Sequence, residues 1–305
     1  MPTETTGADT RCGFVALIGA PNAGKSTLIN RVVGTKVSIV SHKVQTTRSI
    51  IRGIAMFGAS QVIFVDTPGI FRPRRRLDRA MVNTAWSGAH DADLVAVLID
   101  VSRGIDEDAR SLIQKAGEVA HPKILLLNKI DTVKREDLLA MTAEANEAVK
   151  FDRTFMISAL NGDGPDDFTA YLAGAVPPGP YLYPEDEVSD VPIRQLASEV
   201  TREKLFERLH QELPYASTVE TESWKEQPDG SIRVEQVIFV ERESQKKIVI
   251  GKGGETIKSI SMAARREIGE IAEKTVHLFL FVKVRENWAD DPERYRAMGI
   301  EFPKG

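Results

Sequence analysis

The segment Gly19-Ala20-Pro21-Asn22-Ala23-Gly24-Lys25-Ser26-Thr27 follows an apolar run, Phe14 to Ile18, that reads as a buried strand, and it leads into a stretch that reads as a helix. The spacing G-x-x-x-x-G-K-[ST] in that strand-to-helix context makes a phosphate-binding loop. Glycines let the backbone close around two phosphates, so that main-chain N–H groups and the helix N-terminus face the negative charge. Lys25 adds a cation at the β/γ oxygens, and the Ser26 hydroxyl is placed to ligate magnesium. A chain carrying this loop is held to a fold in which a strand feeds a helix.

Further apolar runs at Val62 to Val65, Leu94 to Ile99, Ile124 to Leu127 and Phe155 to Ile157 are continuous rather than alternating, as expected of strands covered on both faces. Glu107 to Val119 and Arg135 to Val149 read as helices between them, which gives an α/β domain with a mostly parallel sheet. Polar motifs stand at the ends of three of these strands. Asp66-Thr67-Pro68-Gly69 places a carboxylate where it can hold magnesium through water, and the Gly69 N–H where it can sense a γ-phosphate. In Asn128-Lys129-Ile130-Asp131, the Asp131 carboxylate can accept from guanine N1–H and the exocyclic amine. Adenine lacks that donor pair and would leave the carboxylate unpaired, so it is rejected. Asn128 would brace the loop, and the Lys129 stem would lie along the base. Ser158-Ala159-Leu160 fits the loop whose backbone N–H reads guanine O6. Together these motifs specify a site for GTP and GDP with magnesium.

Composition limits what surrounds that site. The 305 residues, 42% of them hydrophobic, favour about two domains. With 40 Lys and Arg against 44 Asp and Glu the net charge is -4, so any nucleic-acid site has to be local. A single cysteine, Cys12, excludes an intramolecular disulfide and fits a reducing cytosol, so a cytoplasmic location is expected. Met1 to Arg11 is polar, without a signal-like apolar core, and is expected to be disordered. No apolar run approaches the ~18 residues of a spanning helix. Val176 to Asp190 is rich in proline and acid, which sets a linker over 178–192 between domains at 12–177 and 193–305.

In the second domain Ile193, Leu196, Val200, Phe206 and Leu209 fall at roughly helical spacing. Strand-like runs follow around Ser217 to Glu222 and Ile232 to Glu241, joined by a turn at Pro228-Asp229-Gly230. A short apolar step at Ile248 to Ile250 leads to the turn Gly251-Lys252-Gly253-Gly254, with a helix expected from about Glu255, another from about Ala264, and a strand from Val276 to Val284. The order is α-β-β-α-α-β. Val249 to Ile260 matches the signature of a KH domain, whose G-x-x-G turn lets an RNA backbone approach closely. Between Gln245 and Arg285 nine basic residues face four acids, so an acidic protein carries a basic module. Lys246, Lys247, Lys252 and Lys258 are the candidate phosphate contacts, while Ile250, Ile257 and Ile260 read as core.

Between the first two nucleotide motifs, Ser38 to Arg48 must supply a threonine that completes the magnesium shell in the GTP state and releases when the γ-phosphate is lost. Thr46 and Thr47 both qualify. G-A-P-N-A-G-K-S-T, V-Q-T-T-R, D-T-P-G, N-K-I-D and S-A-L occur in order, followed by Ser198-Glu199, Arg202-Glu203-Lys204-Leu205, Glu212-Leu213-Pro214-Tyr215, Val240-Glu241-Arg242-Glu243, Gln245-Lys246-Lys247 and Trp288-Ala289-Asp290-Asp291. In these the chain resembles the bacterial Era family of ribosome-associated GTPases, from Cys12 nearly to the end. The resemblance implies a type II KH domain, binding to the 3′ region of small-subunit ribosomal RNA, assembly of the small ribosomal subunit, and peripheral contact with the inner face of the cell membrane. It also favours Thr47, which directly precedes arginine. No stable protein partner is implied. Ile70 follows Gly69 where many small GTPases carry a water-orienting glutamine. Water must then be placed by backbone groups, by Thr47 through its loop, or by a monovalent cation such as potassium near Asn22. The run Arg72-Pro73-Arg74-Arg75-Arg76 suits a solvated surface and an RNA contact equally. Two other readings compete: a membrane-linked signalling switch acting on a protein, and an RNA-binding adaptor that holds GDP structurally.

Overall fold

The computed structural model describes residues 10–41, 43, 46–73, 75–209, 213–286, 288, 291–297 and 299–302. Met1 to Asp9, His42, Val44, Gln45, Arg74, Glu212, Ala289 and Asp290, which figure in the expectations above, lie outside them.

One compact unit holds the nucleotide motifs. Its strands are β1 (Arg11–Gly19), β2 (Ile51–Phe57), β3 (Ser60–Asp66), β4 (Leu94–Asp100), β5 (Lys123–Asn128) and β6 (Arg153–Ile157), in the spatial order β2-β3-β1-β4-β5-β6. All neighbours are parallel except β2 and β3. Helices α1 (Lys25–Val33), α2 (Arg76–Asp91), α3 (Glu107–Ala116), α4 (Arg135–Ala148) and α5 (Pro165–Ala175) cover the sheet. Alternate residues of the continuous apolar strands serve two cores. Ala16, Ile18, Val95, Val97, Leu125 and Leu127 belong to one; Val15, Leu17, Leu94, Ala96, Leu98, Leu126, Phe64 and Phe168 belong to the other. Strand order reverses at β1, with β3 and β4 on either side, and that crevice at the carboxyl ends of the strands is where an α/β sheet binds ligands.

Edge strand β2 was not among the expected strands. It contains Gly53, where an added Cβ would stand 2.9 Å from side-chain carbons of Ile29 and Val33, so the strand gives up a side chain to let α1 approach. The proline-rich stretch is not a free tether. Leu182 and Tyr183 donate their N–H groups to the buried Gln61 Oε1, Ile54 N–H donates to Val188 O, and Arg52 pairs with Asp190 at 2.8 Å. Packing therefore carries the first unit on to Asp190. Arg11, expected in a disordered start, opens β1.

The second unit takes in Val191–Ala297 together with Ile39–Thr46, whereas residues 299–302 belong to the first. Its elements are α6 (Ile193–Arg208), β7 (Ser217–Glu226), β8 (Ile232–Val240), α7 (Glu243–Ile250), α8 (Glu255–Ala272), β9 (Val276–Val284) and α9 (Pro292–Ala297). The sheet runs β7-β8-β9, with β7 antiparallel and β9 parallel to β8. Val200, Val234, Ala264, Ile268 and Leu278 join α6, α8 and the sheet in one core. The expected α-β-β-α-α-β order holds, with one correction to its helices. The apolar step at Ile248 to Ile250 ends helix α7, and Glu255 to Ala272 is one helix, not two. Ile260, Ala264 and Ile268 keep one buried face through the join, and no breaker interrupts it.

Candidate functional site

Gly24 adopts φ 100° and Asn22 φ 63°, and these left-handed residues turn the loop after β1 so that α1 starts at Lys25. The Lys25 ammonium is buried and donates to the carbonyls of Gly19 and Ala20, each at 3.1 Å. Burial lowers its pKa to about 8, and nearby Asp66 opposes the shift. Asp66 ends β3 fully buried, and its Oδ2 accepts from Ser26 Oγ at 2.7 Å and from Ser38 Oγ at 2.8 Å. Thr47 Oγ1 lies 3.1 Å from Ser26 Oγ. Burial raises the Asp66 pKa, while Lys25 and the hydroxyls of Ser26, Ser38 and Thr47 pull it back.

Asp66 Oδ1 is buried with no hydrogen-bond partner among the described residues. An orphaned carboxylate oxygen beside two hydroxyls is an all-oxygen donor set suited to a hard divalent cation that keeps waters and takes phosphate oxygens. Among the described residues no cluster of three His, Cys, Asp or Glu could hold a metal, so a thiolate or imidazole site is not the alternative there. Thr67 Oγ1 donates to Leu17 O at 2.7 Å and Ile70 N–H to Gly19 O at 2.9 Å, which ties the Asp66-to-Gly69 turn to β1. A Cβ on Gly69 would sit 2.8 Å from Pro21, so only glycine brings the two loops this close.

Asn128 links the phosphate loop to the loop after β6. Its Nδ2 donates to Ala23 O at 2.7 Å, and its Oδ1 accepts the Ala159 N–H at 3.0 Å. That amide is one of those expected to read guanine O6, and it is already engaged. Lys129, at φ 71°, points its ammonium to Asp100 Oδ2 at 2.5 Å, and Asp131 is exposed in the turn that follows. Three contributors escaped sequence reasoning. Ser38 holds Asp66, Asp100 holds Lys129, and Arg31 of α1 donates to the carbonyls of Ala159 and Leu160 at 2.6 and 2.5 Å. A polar residue on the exposed side of the phosphate-loop helix was the only available signal for the last. Replacing Asp131 by Asn is expected to weaken GTP roughly 30- to 100-fold, the effect of about 2–3 kcal/mol from an unmatched charged hydrogen bond, and to improve xanthosine triphosphate. Competition binding with the two nucleotides measures this, and unchanged GTP affinity would remove Asp131 from the base site.

In the second unit α7 and α8 flank the glycine turn. Gly251, Gly253 and Gly254 have φ values of 76°, 60° and 81°, and a Cβ on Gly251 would meet Thr256 Oγ1 at 2.2 Å. Four of the nine basic residues are paired. Lys274, Lys283, Arg266 and Arg285 pair with Glu226, Glu222, Glu270 and Asp291. Lys246, Lys247, Lys252 and Lys258, around the turn, form no ion pair among the described residues, and their charge remains available to a polyanion. Ile260 is core, while Ile250 and Ile257 are half-buried. In the arginine run, Arg72 pairs with Glu107 at 2.8 Å and Asp108 at 3.5 Å, and the Arg76 guanidinium lies over the Phe302 ring.

The family model described as a 50S ribosome-binding GTPase matches residues 14–129, and the KH domain model matches residues 212–289. GTPase Era of a Bradyrhizobium species is 68% identical over 98% of this chain and 97% of its own, and GTPase Era of Rhizobium meliloti is 68% identical over 99% and 96%. The chain belongs to the Era family of GTPases. Its fold is that of a crystal structure of Era in complex with MgGDPNP and nucleotides 1506–1542 of 16S ribosomal RNA, at TM-score 0.90 and 34% identity over 95% of this chain and 99% of that one. A variant of Aquifex aeolicus Era bound to GDP.AlF4- matches with the same score, identity and coverage. This Era GTPase thus couples a GTP-hydrolysing domain to a KH domain. No helix among the described residues is long and apolar enough to cross a membrane.

Proposed function

We propose that this chain hydrolyses GTP with magnesium and, through its KH unit, binds the 3′ region of small-subunit ribosomal RNA in the cytoplasm as a nucleotide-switched factor in assembly of the small subunit. The observation that carries the reading is the hydrogen-bonded set of half-buried Ser26 with buried Thr47 and Asp66, whose Oδ1 is orphaned, beside Lys25. A protein that held GDP only as a structural ligand has no use for Thr47 there. Magnesium held by this set would supply charge to the phosphate oxygens, and Lys25 would stand at the β/γ oxygens and oppose the charge that accumulates on the leaving oxygen. Water attacks the γ-phosphorus, the bond to the β–γ bridging oxygen breaks, and GDP and inorganic phosphate leave, the water proton passing to phosphate. Gly69 brings its N–H to the γ-phosphate, and Asp131, Lys129 and Asn128 hold the base. In the RNA site, the turn at Gly251 to Gly254 takes the backbone and Lys246, Lys247, Lys252 and Lys258 take phosphates.

Ile70 cannot orient water. Asn22, at φ 63° in the phosphate loop, is our candidate to hold potassium in place of a charged finger. Exchanging potassium for sodium is then expected to slow hydrolysis about tenfold, the effect of roughly 1.4 kcal/mol of barrier. Phosphate release at matched ionic strength reads this, and equal rates would remove the cation. The function as a whole is tested by recovering RNA cross-linked to the protein in cells, with and without a non-hydrolysable GTP analogue. Small-subunit 3′-end RNA enriched with the analogue supports it; protein adducts without RNA would sink it.

A further inference from the structure

Arg31 stands in the second turn of α1, the helix that the phosphate loop begins, and no step of the proposed hydrolysis uses it. Its Nε donates to Ala159 O at 2.6 Å and its Nη2 to Leu160 O at 2.5 Å, a fork on two successive carbonyls of the loop after β6. The planar guanidinium fits such a pair of acceptors, which an ammonium on a flexible stem does not hold together. Gly162 makes room for it: this residue has φ 97°, and a Cβ there would stand 2.6 Å from Arg31 Nη1. The other amides of the loop are engaged. Ala159 N–H donates to Asn128 Oδ1 at 3.0 Å, Asn161 N–H to Ser158 Oγ at 3.1 Å and Gly162 N–H to Ser158 O at 2.8 Å. Leu160 N–H has no acceptor among the described residues, and Leu160 is 73% exposed.

Ala159 O and Leu160 N–H belong to one trans peptide. The C=O and N–H of such a peptide point in opposite directions, so a guanidinium held on the oxygen turns the N–H away from itself. Hydrogen bonds in series also polarise one another, and a cation on the carbonyl makes the N–H behind it a stronger donor. We propose that Arg31 is a positioning residue for guanine specificity: it orients the Ala159–Leu160 peptide so that Leu160 N–H, in place of the engaged Ala159 N–H, donates to the 6-oxo oxygen of the base. The inference rests on the assignment of the Ser158 to Leu160 loop to that oxygen. A brace with no part in recognition could take carbonyls anywhere along the loop, whereas the two that Arg31 grips flank the amide left unbonded. The same N–H would face a donor if the 6-amino group of adenine took that position, which adds a second rejection of adenine to the one at Asp131.

The test is competition binding to the full chain, with magnesium, of GDP, 6-thio-GDP and IDP. In 6-thio-GDP a weakly accepting sulfur replaces the oxygen, while IDP keeps the oxygen and lacks the exocyclic amine that Asp131 reads. The parent is expected to prefer GDP to both. Arg31→Met keeps the stem and removes every donor. It is expected to weaken GDP about fivefold, the worth of one base hydrogen bond, and to bring 6-thio-GDP to within about twofold of GDP. Preference for GDP over IDP stays at the parent value, and kcat for GTP stays within about twofold because only uniform binding is lost. If Arg31→Met keeps the parent's preference for GDP over 6-thio-GDP, even with all three nucleotides weakened together as a merely structural defect would weaken them, the inference is overturned and the loop assignment stands. Collapse of both preferences overturns it as well, as a general loss of the base site. Should thermal melts show Arg31→Met unstable, Arg31→Lys decides: one donor without the fork is expected to keep only part of the preference for GDP over 6-thio-GDP, and the full preference in that variant overturns the inference. A parent that binds GDP and 6-thio-GDP alike has no N–H reading the 6-position, and the loop assignment then falls and takes the inference with it.

Discussion

Lys25→Ala reduces GTP turnover by at least about a thousandfold, in the range that removal of one preorganised charge stabiliser costs a reaction whose catalysis is mainly electrostatic. The argument begins with where the ammonium stands. Lys25 is the first residue of α1, buried, and its hydrogen bonds run to the Gly19 and Ala20 carbonyls rather than to a carboxylate. Burial holds its pKa down to about 8, well below an exposed lysine. A γ-phosphate brought alongside stabilises the charged form and raises that pKa, so interaction grows as negative charge moves toward the bridging oxygen. A pH signature follows. Free enzyme loses the proton as pH rises through about 8, so kcat/KM falls above that pH, whereas kcat, set by the enzyme with phosphate bound, holds to higher pH. Single-turnover phosphate release with Lys25→Ala, beside pH profiles of the parent, checks both. RNA binding measured in GDP is expected to persist in the variant. Retained turnover, or a kcat/KM flat from pH 7 to about 9.5, would count against Lys25.

What could be read in the sequence was what is local. The phosphate loop, Asp66 to Gly69 and Asn128 to Asp131 are short, each follows a continuous apolar strand, and the register of a parallel sheet then brings them together at one edge. The loop-to-loop braces were not readable, because their partners are remote. Arg31 and Ala159 are separated by 128 positions, and neither residue type signals the other. Ser38 had no motif of its own, being one hydroxyl among several in a polar stretch. The start of α7 did leave a trace. Gln245 accepts from the N–H groups of Glu241 and Arg242, a helix N-terminal cap three residues into the pattern, and it marks Ile248 to Ile250 as the end of a helix. The burial of the α6 charges has no signature in composition. Arg202 and Glu203 are buried and hydrogen-bond the main chain at Thr46 and Val40, and a contact some 160 positions away in sequence leaves no periodic pattern.

For the proposed RNA site the decisive variant is Gly254→Asp. Gly254 sits at φ 81°, where a non-glycine residue costs on the order of 1–2 kcal/mol and aspartate is among the more tolerant. An added Cβ there meets nothing within 4 Å, so the side chain enters open space without displacing the protein. Gly251 differs, since a Cβ would strike Thr256 and Gly251→Ala is expected to distort the turn itself. If an RNA backbone approaches this turn as proposed, the carboxylate at 254 adds bulk and like charge to that approach. Juxtaposed like charges cost several kcal/mol, so affinity for RNA is expected to fall at least about a hundredfold. Lys252→Ala behaves in another way, weakening binding modestly and lowering the salt slope by roughly 0.7, one phosphate contact on a single strand. Filter binding of an oligonucleotide from the 3′ end of small-subunit ribosomal RNA, across a salt series and beside thermal melts, separates the variants. A folded Gly254→Asp protein that binds RNA undiminished would remove the glycine turn from the RNA site, while a salt slope unchanged by Lys252→Ala would take that lysine off the phosphate path.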